Sequence, residues 1–322
     1  MVCWVLRWAA LVALAGLATG AETLSLVGRV APPLQRGVAA ISAVESPFYV
    51  EVPVRNDGFS FRGLKAGAYT LTVMDPTWGV TRRTVQVTPS FADEGGRVRV
   101  EIDLERSADG RSRRLRQQGT VSVANLKVSR KARAARRKSK ARFARGDEAG
   151  GVALLLKAVE ISPSFTDAWN ELGTIAYKAG RYAEAEERFR KALEHEPLAF
   201  APMVNLGGAL LSQNRFDEAL SFNLMARSMQ PGDALANSQL GMNFFYKGQY
   251  QKAREYLLRA KEADPGHFSH PQLFLADIYG KQGKLEEARA ELEETLRLHP
   301  DSSVAVIARE ALRRLEDASL PP

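Results

Sequence analysis

Five prolines divide the second half of the chain at a fixed interval. Pro163, Pro197, Pro231, Pro265 and Pro300 are spaced 34, 34, 34 and 35 residues apart. Regular spacing on this scale constrains the fold more than any other feature, because it means one supersecondary unit copied along the chain. Other columns keep the period. Ala158, Ala192, Ala226, Ala260 and Thr295 stand just before the prolines. Small residues recur at Gly151, Ala185, Ala219, Ala253 and Ala288. Large apolar residues follow them at Leu155, Phe189, Leu257 and Leu292, with Asn223 breaking the column. Upstream stand Leu172–Gly173, Leu206–Gly207, Leu240–Gly241 and Leu275–Ala276.

Each copy reads as two amphipathic helices of about twelve to fourteen residues, joined at turns such as Ala179–Tyr182 and Lys247–Tyr250. Proline ends the second helix because it cannot donate the next hydrogen bond. Gly173 and Ala185, like Gly207 and Ala219, are small where the two helices must approach. Trp169, Leu172 and Phe189 fill the space around that contact. One such hairpin cannot bury its apolar face, whereas stacked neighbours can.

The copy Trp169-x-x-Leu172-Gly173, Ala185-x-x-x-Phe189, Pro197 resembles the tetratricopeptide repeat, and the resemblance runs over residues 130–317. Clear copies follow at 200–233, 234–268 and 269–302. In the last, Gln272 replaces Trp169, and an extra residue lengthens the loop around His267–His270. An earlier copy at 132–165 is degenerate, its first helix stripped of the usual apolar residues. Ser303–Asp317 reads as a final helix covering the end of the stack. The resemblance implies an all-α solenoid whose first helices line a concave, partner-binding face. Here those positions are Arg133, Arg136 and Lys140, then Asn170, Thr174 and Tyr177, and then Asn205, Leu211, Ser238, Met242, Phe245 and Tyr246. Packing against adjacent hairpins is the alternative for the apolar ones.

Residues 22–104 have another grammar. Seven short runs alternate apolar and polar residues: Leu24–Val30, Gly37–Val44, Phe48–Val54, Gly58–Arg62, Ala68–Met74, Val80–Val87 and Val98–Leu104. Glycine-, proline- and asparagine-rich turns separate them. This pattern predicts a small antiparallel β-sandwich. The run Gly58–Leu71 resembles the carboxypeptidase regulatory-like, transthyretin-like domain, which implies an accessory module and no reaction.

The first twenty-one residues have the layout of a secretory signal peptide. Arg7 precedes a short apolar run, Trp8–Ala18, and small residues follow. The run is short for a membrane span, although an uncleaved anchor is the alternative. Cleavage near Gly20 or Ala21 would export the chain to the periplasm or beyond. No later segment reaches spanning length, so no transmembrane segment is expected in the mature chain. Cys3, the only cysteine, lies in the leader, so no disulfide or cysteine-bound metal is expected.

The formal net charge is +8, and its source is local. Between Glu105 and Arg145 stand fifteen Lys or Arg against two acids. Arg111, Arg113, Arg114 and Arg116 fall in a polar stretch, 105–129, that reads as a linker. Nine more, from Arg130 to Arg145, fall on what should be one helix. Such a run can be merely solubilising, or can meet an acidic protein or an anionic surface. Nucleic acid is not expected, given export and the lack of interleaved aromatics before Phe143.

No HExxH, Gly-x-Ser-x-Gly or phosphate loop is present, and Gly150–Gly151 falls where a turn between helices is expected. His267 and His270 form a close pair without further visible metal ligands, and a solvated loop is the ordinary reading. The expectation is a non-enzymatic, cofactor-free scaffold: β-sandwich at 22–104, linker at 105–129, repeats at 130–302 and a capping helix and tail at 303–322. Its partner is a protein or peptide. Attachment to an anionic envelope surface or acidic polymer through 106–145 is the rival reading.

Overall fold

The computed structural model describes residues 23–34, 37–55, 57–75, 79–104 and 128–319. The leader over 1–21 and the arginine-rich stretch 105–127 lie outside the described residues. So do Cys3 and Arg111 to Arg116.

Seven strands come first among the described residues: β1 (Leu24–Ala31), β2 (Gly37–Ala43), β3 (Tyr49–Val54), β4 (Gly58–Leu64), β5 (Gly67–Asp75), β6 (Gly79–Val87) and β7 (Arg97–Asp103). They form a three-stranded sheet, β4-β1-β7, and a four-stranded sheet, β3-β2-β5-β6. Leu26, Ile41, Leu64, Leu71 and Val87 lie in the core between them. Phe59 crosses β1 at Gly28, where a Cβ would sit 1.9 Å from its ring, so only glycine fits. The sandwich is mixed rather than antiparallel throughout, because β1 and β7 pair in parallel, Ser25 with Arg97 through Ala31 with Asp103. The chain leaves β6 in one sheet and crosses to the other through a short helical turn, Pro89–Phe91. A crossover permits parallel pairing, which a tight hairpin does not.

Eleven helices follow among the described residues, in five hairpins and a cap. They are α1 (Arg130–Phe143) with α2 (Glu148–Ile161), α3 (Thr166–Lys178) with α4 (Tyr182–His195), and α5 (Phe200–Ser212) with α6 (Phe216–Met229). Then come α7 (Ala234–Tyr246) with α8 (Tyr250–Ala263), α9 (Pro271–Lys281) with α10 (Leu285–Leu298), and α11 (Ser303–Ser319). A left-handed residue closes each intrahairpin turn: Gly146, Gly180, Asn214, Gly248 and Gly283. The glycines at 150 and 151 are therefore not turn residues. Both lie inside the first turn of α2, and Gly151 makes room for the Phe143 ring.

Within a hairpin the small residue of the first helix meets the large residue of the second. A Cβ at Gly173 would lie 2.5 Å from the Phe189 ring, and one at Gly241 2.5 Å from Leu257. Gly207 accordingly faces Asn223, one turn beyond the Ala219 that the sequence reading put against it. The Trp169 column has its own logic. Trp169 Nε1 donates to Pro163 O at 2.7 Å, Asn237 Nδ2 to Pro231 O at 2.8 Å and Gln272 Nε2 to Pro265 O at 2.6 Å. Gln272 thus keeps the side-chain N–H that ties α3, α7 and α9 to their preceding prolines, whereas α5 carries Met203 at that place. At the far end, Val304, Ala308, Leu312 and Leu315 of α11 cover Leu273 and Leu292.

The β domain rests on the solenoid through one sheet face. Pairing aligns Tyr49, Ser42, Thr70 and Thr84 in a row across the four-stranded sheet, and Glu51, Ala40, Thr72 and Arg82 in the next. Alternation points both rows away from the sandwich core. Each row ends on the solenoid at both edges. At β3, Lys140 Nζ lies 4.1 Å from the Tyr49 ring centroid and 3.5 Å from Glu51. At β6, Thr84 N donates to Asp264 Oδ2 at 2.9 Å, and Arg82 lies 3.9 Å from Asp233. Arg83 adds a bond to Ala263 O at 2.8 Å. The sheet therefore spans from the first two hairpins to the last two, and the outward Ala40 at its middle is buried.

Candidate partner-binding groove

The first helices of the hairpins, α1, α3, α5, α7 and α9, carry the residues assigned to the concave face. Their surroundings differ along the array. On α1, Arg133 is exposed, and Arg136 and Lys140 are half-buried and engaged within the chain. The Arg136 guanidinium meets Glu171 Oε1 at 2.6 Å and Asp167 Oδ2 at 3.0 Å. Lys140 is held by Tyr49 and Glu51 of β3. On α3, Lys178 Nζ donates to Ala43 O at 2.6 Å and Ser46 O at 2.9 Å, at the end of β2 and in the loop after it. Burial without a carboxylate partner pushes this ammonium down to about 8.

Polar rungs join the next two helices. Asn205 Nδ2 donates to Asn170 Oδ1 at 2.9 Å, and Thr174 Oγ1 donates to Asn170 O at 2.9 Å. Tyr177 OH lies 3.2 Å from Ser212 Oγ, and its ring meets Tyr182 edge-on. Leu211 is buried in the hairpin contact, as the packing alternative for apolar positions allowed. Further along, Ser238 Oγ meets Ser269 Oγ at 2.6 Å, and half-buried Met242 bridges two core clusters. Phe245 is buried edge-on to Phe274 at 5.3 Å. Tyr246 stays exposed, stacked on Phe216 at 5.0 Å.

The structure thus aligns the polar positions into inter-helix rungs and leaves aromatic edges at Tyr177 and Tyr246. It adds Asp167, Glu171, Lys178 and Ser212 to the face. Glu171 stands one repeat period after Arg136, so opposite charges at that interval were the available signal. His267 and His270 are not in a solvated loop. His267 is only 5 % exposed, because the loop folds back against β6 and α10. Among the described residues no group of three or more His, Cys, Asp or Glu could hold a metal ion. None of their helices is long and apolar enough to cross a membrane.

Tetratricopeptide-repeat family models match residues 170–234 and 244–318. The BBSome complex member BBS4 of Bos taurus is 30 % identical over 122 residues, which is 38 % of this chain and 23 % of that protein. The anaphase-promoting complex subunit CDC16 of Saccharomyces cerevisiae is 28 % identical over 138 residues, 41 % of this chain and 16 % of its own length. The chain therefore spans less than a quarter of either relative. Among solved structures, PilW, described as a widely conserved type IV pilus biogenesis factor, superposes with a TM-score of 0.50. It is 20 % identical and covers 59 % of this chain and 92 % of its own, a likeness of fold.

Proposed function

Since the chain is a tetratricopeptide-repeat protein with a β domain ahead of the array, we propose that it is a non-enzymatic scaffold holding a protein or peptide on the inner face of its first helices. The observation that carries this reading is the ladder across that face. Asn170, Thr174 and Asn205 form hydrogen-bonded rungs, and Tyr177 and Tyr246 flank them as exposed aromatics. Fixed amides and hydroxyls with aromatic edges suit a peptide backbone and its apolar side chains. We further read residues 1–21 as a cleaved leader that exports the chain. On this reading the front module is of the carboxypeptidase regulatory-like type, over 22–104, and 105–129 is a linker.

Photo-crosslinking in the native host tests the groove. A benzoylphenylalanine at Tyr177 or Tyr246 is expected to capture a partner that one at Leu224, exposed on α6, does not. Equal capture from Leu224 would sink the reading, as would capture of nothing beyond the chain itself from the inner positions.

One observation favours attachment to an acidic partner through α1 as a second reading. Arg130, Lys131, Arg137 and Lys138 are exposed, and the first turn of that helix holds cations and no acid. Cations there oppose the helix dipole, and an anionic partner would relieve that cost. Such binding should weaken steeply between low and high salt, whereas groove binding should not.

A further inference from the structure

Three of the four histidines in the chain gather where β6 meets the last two hairpins. His299, which caps α10, is 1 % exposed, and its Nδ1 lies 2.9 Å from Gln86 Nε2 of β6. An amide nitrogen only donates, so His299 Nδ1 accepts and the ring proton sits on Nε2. His270 stands edge-on to His299 with ring centroids 4.5 Å apart. His267 Nδ1 in turn accepts the Ser269 N–H at 3.2 Å. Two of the three imidazoles are thus held by bonds that require an unprotonated Nδ1.

The groups around this cluster are few. From β6 come Gln86 and Arg83, the latter bound to Ala263 O. The turn after β6 supplies Ser90, bonded to Asp301 at 2.7 Å. The loop before α9 supplies Asp264, His267 and His270. Asp264 accepts the Thr84 N–H, and Asp301 accepts from Ser90, so each carboxylate is committed to the β domain.

We propose that the contact between the β domain and the solenoid is a clasp over the concave face, and that protonation of His299 opens it. Neutral His299 accepts from Gln86. Once protonated it carries N–H on both nitrogens, faces a donor, and is buried beside a second imidazole. Opening the β6 seam gives the charged ring water and separates Thr84 from Asp264 and Ser90 from Asp301. Access of a partner to the inner face would follow, a consequence that rests on the groove reading; the opening itself does not.

The sign follows from the pKa directions. Burial holds His299 at about 4; burial and the neighbouring His299 hold His267 and His270 at about 3. A released imidazole titrates near its ordinary value, about 6.5. The clasp is therefore complete above about pH 6.5 and weakens as pH falls toward about 4, by about tenfold per pH unit for each imidazole that becomes exposed. Asp264 runs the other way: burial raises its pKa, so its protonation does not drive opening in acid.

Hydrogen exchange on the full chain, corrected for the intrinsic effect of pH, tests the clasp. Thr84 is a direct reporter, since its N–H is bonded to Asp264. Between pH 7.5 and pH 5.0, protection at 80–90 and 297–303 is expected to fall at least tenfold while α3 to α6 keep theirs. His299→Gln, neutral throughout and able to accept from Gln86, should lose at least tenfold less seam protection than the wild type over that interval. Gln86→Ala should open the seam already at pH 7.5, with α3 to α6 unchanged. Seam protection equal at both pH values in the wild type would overturn the proposal, as would His299→Gln responding like the wild type. Loss of the seam and of α3 to α6 together would also overturn it, because that is unfolding and not a clasp. A failure of the crosslinks at Tyr177 and Tyr246 would sink the groove reading and leave these outcomes standing.

Discussion

The hairpins α3/α4 and α5/α6 share a backbone plan and differ at its centre. In the first, Gly173 meets the Phe189 ring, which is 1 % exposed and packs with Ala185, Leu206 and Leu210. In the second, Gly207 meets Asn223, which is 0 % exposed with neither its oxygen nor its nitrogen bonded. The turns differ too: Gly180 is left-handed in the first and Asn214 in the second. The comparison separates the geometry of a repeat from its stability. Close approach needs only a missing side chain on one helix, while the energy comes from what fills the space opposite.

The largest effect is expected at Phe189. Phe189→Ala leaves a cavity above Gly173 and should cost about 3–5 kcal/mol. Urea unfolding measures it, and hydrogen exchange should place the loss in α3 to α6, since repeats couple mainly to their neighbours. Asn223→Ala should cost far less, because it removes two polar atoms that have no partner. Equal costs at the two positions would break the comparison.

Asn223→Leu comes next and should have the opposite sign. Leu257 already fills the equivalent place over Gly241, so a leucine is compatible with this backbone. Removing a buried, unbonded amide should gain about 1–3 kcal/mol. The urea midpoint should rise with an unchanged slope. A loss instead would mean that α5 and α6 approach more closely than α7 and α8, and that Asn223 is there for its size.

The repeats were legible because their signals are local and periodic. The 34-residue proline spacing set the register, and the seven alternating runs set the strands. The parallel β1–β7 pair was not legible, since alternation reports which face is buried and not which strand lies alongside. Nor was the contact of the β domain with the array. Thr84 and Asp264 lie 180 residues apart, and Gln86 and His299 lie 213 apart. Nothing in either local pattern marks them as partners. Nor did the sequence show which side chains of the first helices are already held. Arg136 and Lys140 lie on the first helix of their hairpin, yet Glu171 and β3 already hold them. The burial of the His267–His270 loop was hidden for the same reason, because the strand that covers it comes from the other end of the chain.

The smallest effect distinguishes the two turns. Asn214 sits at φ 59, where an L side chain ordinarily crowds its own backbone. Asparagine tolerates this region better than most residues, and glycine pays nothing for it in the folded state. Glycine, however, loses more backbone freedom on folding, by roughly 0.5–1 kcal/mol. The two effects oppose, so Asn214→Gly should change stability by less than about 0.5 kcal/mol. Asn214→Val brings branching at Cβ into the same crowded conformation and should cost at least about 1 kcal/mol. Both are read from urea midpoints against the wild type. If Asn214→Gly stabilises by as much as Asn223→Leu, the weakness of this hairpin lies in its turn. If Asn214→Gly is neutral and Asn223→Leu is not, the weakness lies in the contact between its helices.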